Sequence, residues 1–208
     1  MLNNMDKAKL IIFSAPSGAG KSSLIRELID LGEKSIELSV SATTRSPRDG
    51  EVHGKDYFFI SDDEFNQMKE NDAFLESATV HGFQYATLKS FVDEKINSGI
   101  SVILDIDVQG FMQINRSLTE HTSIFILPPS FDELEKRLNT RGLDSKEVIS
   151  KRLENALVEL KSAKLFDYIV LNDEFSKTIK TLSSILFEEN FQYNNKETEK
   201  ILMELLDK

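Results

Sequence analysis

The chain has 208 residues and a formal net charge of −10, so it is long enough for one large domain, and its acidic balance argues against nonspecific binding to nucleic acid. It contains no cysteine, which excludes disulfides and thiolate metal sites. Its apolar stretches are too short to cross a bilayer and its first residues form no hydrophobic signal segment, which predicts a soluble, cytoplasmic protein.

Near the start of the chain, a short apolar strand runs into a glycine-containing turn that opens a helix. The strand is predicted over residues 10–14 and the helix over residues 21–31, with Gly32 as its C-cap. Gly18 and Gly20 let successive backbone N–H groups point at one anion, and the helix N-terminus adds partial positive charge. This order predicts a phosphate-binding P-loop for ATP, formed by Ala15, Pro16, Ser17, Gly18, Ala19, Gly20, Lys21, Ser22 and Ser23.

Two residues of this loop carry the chemistry that the pattern predicts. Lys21 reaches the outer phosphates, and the Ser22 hydroxyl is placed to bind Mg²⁺. Ala15 stands where the pattern has glycine, which is compatible with the turn if its φ stays negative. The alternative is a glycine-rich turn in which Lys21 is simply solvated.

The segment 35–87 interrupts the alternation of strand and helix. It is rich in small, aromatic and hydroxyl residues, and its one predicted helix begins at Ser61 with Glu64 placed for a capping box. The second interruption, residues 130–162, contains two charged helices, and Ser130 with Glu133 repeats the capping pattern. We interpret these segments as two lobes set into a core.

A cluster of arginines lies in the first of these lobes. Arg45 and Arg48 are three residues apart in a Ser/Thr/Pro/Gly loop, which suits bidentate capture of a phosphate. Glu51 is placed to pair with one of them, and Tyr57 and Tyr85 add hydroxyl donors. The alternative is an exposed turn with incidental arginines.

Three carboxylates stand at positions that need an explanation. Glu76 lies between apolar neighbours, so it requires a partner unless it is an ordinary surface glutamate. Asp105 and Asp107 end a predicted strand over residues 100–107, at the edge where open α/β sheets bind ligands. A carboxylate there is well placed to orient Mg²⁺ through water, and the alternative is that both aspartates face solvent.

The rest of the chain alternates strands and helices. Helices are predicted over residues 90–98, 109–117 and 196–208, strands over 123–127 and 167–171, and a further helix after the last strand. This alternation implies right-handed βαβ crossovers, and therefore an α/β fold with a parallel sheet covered by helices on both faces.

The second lobe carries Arg137, Arg141 and Arg152. Arg137 and Arg141 are four residues apart and share a helix face or its exit. The alternative is a solvated basic stripe balanced by glutamates on the same helices.

Several of these motifs together resemble one known family. After the P-loop come Thr-Thr-Arg-Ser-Pro-Arg-Asp-Gly-Glu, Asp-Tyr-Phe-Phe, Phe-Leu-Glu, Leu-Asp-Ile-Asp-Val-Gln-Gly, Phe-Ile-Leu-Pro-Pro-Ser and Arg-Leu-Asn-Thr-Arg-Gly. This is the order seen in guanylate kinases, and the resemblance runs from about residue 10 to residue 172. Six ordered motifs are far more specific than a P-loop alone.

The resemblance implies a three-layer P-loop kinase core over residues 1–34, 88–129 and 163–208, a GMP-binding lobe over 35–87 and a mobile lid over 130–162. It implies that the GMP phosphate is held by Arg45, Arg48, Tyr57 and Tyr85, with Glu51 beside them. It implies that guanine is read by Ser41, Glu76, Thr87 and Asp107. It also implies that Asn172 lies near the adenine and that the catalytic residues are Lys21, Arg45, Arg137, Arg141 and Arg152.

The reaction that this resemblance implies is ATP + GMP ⇌ ADP + GDP, with Mg²⁺ bound to ATP and dGMP as a further acceptor. Ala86 departs from the family pattern, which has glycine before the hydroxyl residue Thr87. Two other functions stay open: a non-catalytic interaction module of the same fold, and a related P-loop kinase acting on a sugar phosphate or another nucleotide. Turnover of ATP separates the first alternative from the kinase, and the choice of acceptor separates the second.

Overall fold

The computed structural model of the chain describes residues 8–32, 35–80, 82–140 and 146–207. Arg141, one of the predicted lid arginines, lies outside the described residues. The strands are β1 (Leu10–Ser14), β2 (Ile36–Leu38), β3 (Ala42–Thr43), β4 (Phe58–Phe59), β5 (Phe74–Val80), β6 (Phe83–Leu88), β7 (Ser101–Asp105), β8 (Thr122–Leu127) and β9 (Tyr168–Leu171). The helices are α1 (Lys21–Leu31), α2 (Asp62–Glu70), α3 (Lys89–Asn97), α4 (Val108–Ser117), α5 (Phe131–Thr140), α6 (Lys146–Lys161), α7 (Phe175–Phe187) and α8 (Lys196–Leu206), with a short 3₁₀ turn at Ala163–Leu165.

Two sheets organise these elements. The larger has the strand order β2-β7-β1-β8-β9, and β2 pairs with β7, and β8 with β9, in parallel. The predicted α/β fold with a parallel sheet is therefore confirmed. The smaller sheet has the order β4-β3-β6-β5, and its β3–β6 and β5–β6 pairs are antiparallel.

The chain divides into two compact units, and the first combines Met1–Ile11 with Ser35–His121. Its smaller sheet packs on α2 through a cluster of buried side chains, with the Phe65 and Phe74 rings 4.7 Å apart. Ala42, Ala86 and Leu88 complete that cluster. Burial of these apolar side chains stabilises a lobe whose strands are only two to seven residues long.

The second unit combines Ile12–Lys34 with Thr122–Lys208. Its helices α5 and α6 pack through Leu134, Leu138, Ile149 and Ala156, as the predicted amphipathic spacing requires. The predicted division into core, GMP-binding lobe and lid follows other boundaries than these two units and stays a prediction.

The segment after α7 lies along the strand β9. Tyr193 donates its hydroxyl proton to the Ile169 carbonyl oxygen at 3.0 Å, and the Asn195 Oδ1 accepts from the Ile169 N–H at 3.0 Å. The Asn195 Nδ2 donates to the Asp167 carbonyl oxygen at 3.0 Å. Side chains of the tail thus bind the backbone of β9 in place of a further strand.

Local signals in the sequence account for most element boundaries. The Ser61 hydroxyl accepts from the Glu64 N–H at 3.1 Å and the Ser130 hydroxyl accepts from the Glu133 N–H at 3.1 Å, so both predicted helix starts are confirmed. The strand predicted over residues 100–107 was wrong at its end, because it stops at Asp105. No helix in the described part of the chain combines the length and the apolar character needed to span a membrane.

Candidate active site

The loop between β1 and α1 has the backbone that a P-loop needs. Gly18 and Gly20 both have φ of 94°, a region that side chains strongly disfavour. A Cβ on Gly20 would lie 2.6 Å from the Nδ2 of Asn172, so this position requires glycine for space as well. Ala15 is buried at the end of the strand and is not among the residues with positive φ, which is the condition for an alanine there.

Asn172, at the end of β9, is the side chain that fixes this loop. It is buried, and its Nδ2 donates to the Ala19 carbonyl oxygen at 2.7 Å. The amide therefore holds the loop from the end of β9, two strands away from β1 in the sheet. Its predicted place near the adenine stays a prediction.

Arg137 of α5 reaches the same loop. Its Nη1 donates to the Ala19 carbonyl oxygen at 3.5 Å and its Nη2 to the Asn172 carbonyl oxygen at 3.3 Å. The Glu133 carboxylate accepts from the Arg137 Nε at 2.9 Å and sets the direction of the guanidinium. A predicted catalytic arginine thus lies beside the predicted phosphate loop. Its pairing with Glu133 also fits the alternative of a balanced basic stripe, so its catalytic role stays a prediction.

A cavity of about 460 Å³ opens beside these groups. Arg137 and Asn172 line it together with two loop glycines and the loop residue Ser23. Four lining residues were not predicted from the sequence: Glu133, Lys136, Asp173 and Phe175. Only Glu133 left a signal, because a glutamate four residues before an arginine on a helix is positioned to pair with it.

The predicted phosphate-binding arginine Arg45 is held by Glu51. Two hydrogen bonds of 2.8 and 2.9 Å join the guanidinium to the carboxylate, and Glu51 also accepts from the Arg48 backbone N–H at 2.7 Å. The bond to Arg45 lowers the pKa of Glu51, so it stays ionised. The predicted pairing is confirmed, and the alternative of an exposed turn is wrong for Arg45, whose side chain is only 10% exposed. Arg48 is exposed, and its phosphate-binding role stays a prediction.

Aromatic rings surround this arginine. The guanidinium carbon of Arg45 lies 5.4 Å from the centre of the Tyr57 ring and 5.8 Å from that of Phe59. The Tyr57 and Tyr85 rings are 6.0 Å apart in an edge arrangement, and burial raises the pKa of Tyr57. Both tyrosine side chains therefore lie in one cluster with Arg45, as the resemblance implies.

Glu76 is buried, with 7% of its surface exposed, so it is not a surface glutamate. It lies opposite Thr87 on the neighbouring strand, and the fully buried Thr87 donates its hydroxyl proton to the Glu76 Oε1 at 2.7 Å. Burial raises the pKa of Glu76, the nearby Asp107 raises it further, and the hydrogen bonds from Thr87 oppose both effects. A carboxylate has about four acceptor sites, so the bonds from Thr87 leave acceptor capacity for a ligand.

The two aspartates after β7 have different surroundings. Asp107 is the N-cap of α4, and its Oδ1 accepts from the Gly110 N–H at 2.8 Å. The sequence contained this signal, since aspartate is favoured immediately before a helix. Asp105 is exposed at the strand end.

The remaining predicted residues lie on defined elements. Ser41 precedes β3, where its carbonyl oxygen accepts from the Phe58 N–H at 2.9 Å. Ala86 pairs with Ala42 in β3 and its methyl group is part of the buried cluster, so the departure from glycine fills core space. Arg152 is half-buried on α6, and its catalytic role stays a prediction.

Comparison with known proteins decides the family. A family model described as guanylate kinase matches residues 7–189. The chain belongs to the guanylate kinase family. It is 49% identical to a guanylate kinase of Geobacter sulfurreducens over 86% of this chain and 88% of that protein, and 46% identical to one of Haemophilus influenzae over 98% and 100%. The structure of a guanylate kinase from Anaplasma phagocytophilum matches with a TM-score of 0.69 at 29% identity, covering 92% of this chain and 93% of that one.

The described residues offer few ligands for a metal ion. Among the described residues, no three of His, Cys, Asp or Glu form a cluster that holds a metal ion. Mg²⁺ bound to a nucleotide typically takes one or two protein oxygens and completes its shell with phosphates and water. The hydroxyl of Ser22, in the first turn of α1, fits that requirement.

We expect the stability of the protein to depend on pH through Glu76. Because its pKa is raised, the carboxyl favours the folded state while protonated, and this contribution is lost as the pH rises through the raised pKa. Glu76→Gln should therefore be more stable than the wild type at neutral pH, and the difference should shrink as the pH falls through the raised pKa and level off below the unfolded value of about 4.3. Urea unfolding across pH measures this, with the exposed Glu27→Gln as control, and a pH-independent difference would contradict it.

We expect Arg137→Ala to lower kcat far more than it changes the KM for GMP. An arginine acting on the transferring phosphoryl group is worth about 10³–10⁵ in rate. Steady-state kinetics of the variant measure both constants, and Arg26→Ala, an exposed arginine of α1, is the matched control. A change confined to the KM for GMP would mean that Arg137 serves binding alone.

Proposed function

We propose that the chain transfers the γ-phosphoryl group of ATP to GMP and releases ADP and GDP. Membership in the guanylate kinase family supports the reaction. The buried Glu76 carboxylate beside Thr87 supports GMP as the acceptor, because a carboxylate without a donor-rich ligand would be costly at that position.

The base is read by the Glu76 carboxylate. Guanine presents two adjacent donors, N1–H and the 2-amino group, and a carboxylate accepts from both. Adenine presents an acceptor at N1 and a C–H at C2, so Glu76 would face a lone pair. Sites built on such hydrogen bonds reject the wrong ligand by about 10⁴ or more. Thr87, Asp107 and Ser41 complete the proposed base site.

The GMP phosphate is held by Arg45 and Arg48, with the hydroxyl groups of Tyr57 and Tyr85. Glu51 supports this role because it orients the Arg45 guanidinium before any ligand arrives. A preoriented side chain loses less conformational entropy on binding than a free one. The two arginines thus attract the dianionic phosphate of GMP, while Glu76 recognises the base.

The triphosphate of ATP is held by the P-loop backbone and Lys21. The N-terminus of α1 favours negative charge at the loop, and the left-handed conformation of Gly18 and Gly20 supports a turn whose backbone N–H groups can bind an anion. Mg²⁺ supplies charge neutralisation at the phosphates, and Ser22 is its proposed ligand, with Asp105 acting through water. Asn172 is proposed to lie near the adenine.

The chemistry needs no strong general base, because the acceptor oxygen of GMP is already an anion. Catalysis is therefore positioning and neutralisation of charge. Arg137, together with Arg141 and Arg152 of the proposed lid, neutralises the transferring group and excludes water, which limits hydrolysis of ATP. The cytoplasmic location and the use of dGMP stay predictions from the sequence.

A coupled assay of ADP formation tests the whole proposal. GMP, dGMP, AMP and sugar phosphates are offered separately with ATP and Mg²⁺. Turnover with GMP and dGMP alone is the expected result. Turnover with a sugar phosphate would favour the related kinase, and none with any acceptor would favour the interaction module.

We expect Lys21→Ala to abolish phosphoryl transfer while the protein stays folded. The lysine supplies positive charge at the loop and contributes little to the core, since it is not fully buried. The same coupled assay, together with circular dichroism, measures both properties. Lys177→Ala, an exposed lysine of α7, should behave as wild type, and near wild-type turnover of Lys21→Ala would remove the P-loop assignment.

We expect Glu76→Gln to lower kcat/KM for GMP steeply and to narrow the gap between GMP and AMP. The change keeps the shape of the side chain but replaces one acceptor with a donor. Leaving a buried polar group unpaired costs about 1–3 kcal/mol, which corresponds to roughly 5- to 150-fold. The KM for ATP should not change. An unchanged GMP/AMP ratio would show that the base is read by Ser41, Thr87 and Asp107 without Glu76.

A further inference from the structure

The helix α4 packs beside the strand that carries Glu76. α4 spans Val108–Ser117 and contacts β5 in the first compact unit. Two of its residues, Gly110 and Gln113, are three positions apart, so they lie on the same face of the helix. Gly110 lies against Glu76 of β5, and Gln113 binds Ser77, the next residue of that strand.

Gly110 provides the space that the Glu76 carboxylate occupies. A Cβ built on Gly110 would lie 2.9 Å from the Glu76 Oε2 and 3.3 Å from its carboxyl carbon. Glu76 has little room to retreat, because it is buried and its other oxygen accepts from Thr87. The carboxylate would have to move if position 110 carried a methyl group.

The backbone does not explain this glycine. Gly110 is not among the glycines with positive φ, and it lies in the first turn of a regular helix. A glycine within a helix costs about 0.8–1.0 kcal/mol relative to alanine. The close approach of Glu76 is therefore the physical reason for glycine at this position.

Gln113 fixes the same strand one residue further along. Its Oε1 accepts from the Ser77 N–H at 3.1 Å and its Nε2 donates to the Ser77 carbonyl oxygen at 3.0 Å. β5 is the edge of its sheet, so these two backbone groups have no neighbouring strand on that side. The amide of Gln113 therefore binds this edge as a further strand would. Its two hydrogen bonds fix the position of β5 relative to α4.

Asp107, another residue of the proposed base site, lies at the N-terminus of α4, three positions before Gly110. Asp107 caps α4 by accepting from the Gly110 N–H. The first two turns of α4 thus hold Asp107, make room for Glu76 and, through Gln113, set the position of the strand.

We propose that Gly110 and Gln113 are positioning residues that set where the Glu76 carboxylate meets the base, and that they thereby determine selectivity for a 2-amino purine. This inference rests on the proposed role of Glu76 in reading guanine. Neither residue is required to touch the nucleotide. They act on selectivity only by fixing the position of the Glu76 carboxylate.

Gly110→Ala is the primary test, because it adds one methyl group against Glu76 and keeps the backbone N–H that Asp107 accepts. The probes are GMP and inosine monophosphate, which differ only in the 2-amino group. We expect the ratio of their dissociation constants, measured by calorimetry, to fall about tenfold, since a misplacement of 1 Å can cost about 10². We expect the KM for ATP to be unchanged.

Stability separates this role from a structural one. Alanine is the better helix former, so Gly110→Ala should unfold at the same temperature as the wild type or higher, while its selectivity falls. Asn115→Ala is the matched control, because Asn115 is an exposed residue of α4 where alanine also favours the helix. It should keep the wild-type ratio of the two dissociation constants.

Gln113→Met keeps the test decisive if Gly110→Ala does not fold. Methionine has the length of glutamine and lacks both hydrogen bonds to Ser77. We expect a smaller loss in the GMP/inosine monophosphate ratio, about threefold to tenfold by the same misplacement argument, again with an unchanged KM for ATP.

The wild type and Glu76→Gln are measured beside these variants. They distinguish a failure of the proposed reading of guanine by Glu76 from a failure of the positioning role of Gly110 and Gln113. If the wild type does not discriminate the two nucleotides, or Glu76→Gln keeps its ratio, the reading of guanine by Glu76 is wrong. If Glu76→Gln loses the ratio while Gly110→Ala and Gln113→Met keep it, the positioning inference is overturned.

Discussion

The hydrogen bond between Thr87 and Glu76 is the interaction on which the proposed acceptor site depends. It joins two strands of the small sheet at a buried position, and it supplies only part of what an ionised carboxylate needs. Burial raises the pKa of this carboxyl, so its ionisation lowers the stability of the folded protein. A ligand that brings donors would offset that cost, so affinity and stability are opposed at this one residue.

The P-loop depends on a comparable set of side-chain contacts in the other unit. Asn172 and Arg137 both donate to the carbonyl oxygen of Ala19, from a strand end and from a helix. The Ala19 carbonyl oxygen is thus held from two elements, and the Ala19 N–H donates to the Pro16 carbonyl oxygen at 3.0 Å, which fixes the shape of the turn. The glycines make this conformation accessible, and the two donors make it the stable one.

The sequence predicted the elements and the motifs better than the contacts between them. Alternating periodicities gave β1 and α1 with their observed bounds, because both the strand and the helix carry local signals. The end of β7 was missed because Asp107 was assigned to the strand, although its capping side chain begins the helix. Phe175 and Asp173 in the cavity left no local signal, since their place depends on the long-range packing of β9 and α7.

The tail that follows α7 has a consequence for the solution behaviour of the chain. β9 is an edge strand, and edges with free backbone groups recruit strands from other molecules. Here Tyr193 and Asn195 occupy both the carbonyl oxygen and the N–H of Ile169, so the middle of that edge offers no template for intermolecular pairing. Both residues lie beyond residue 189, where the family match ends, so the groups that block this edge come from a segment outside that match.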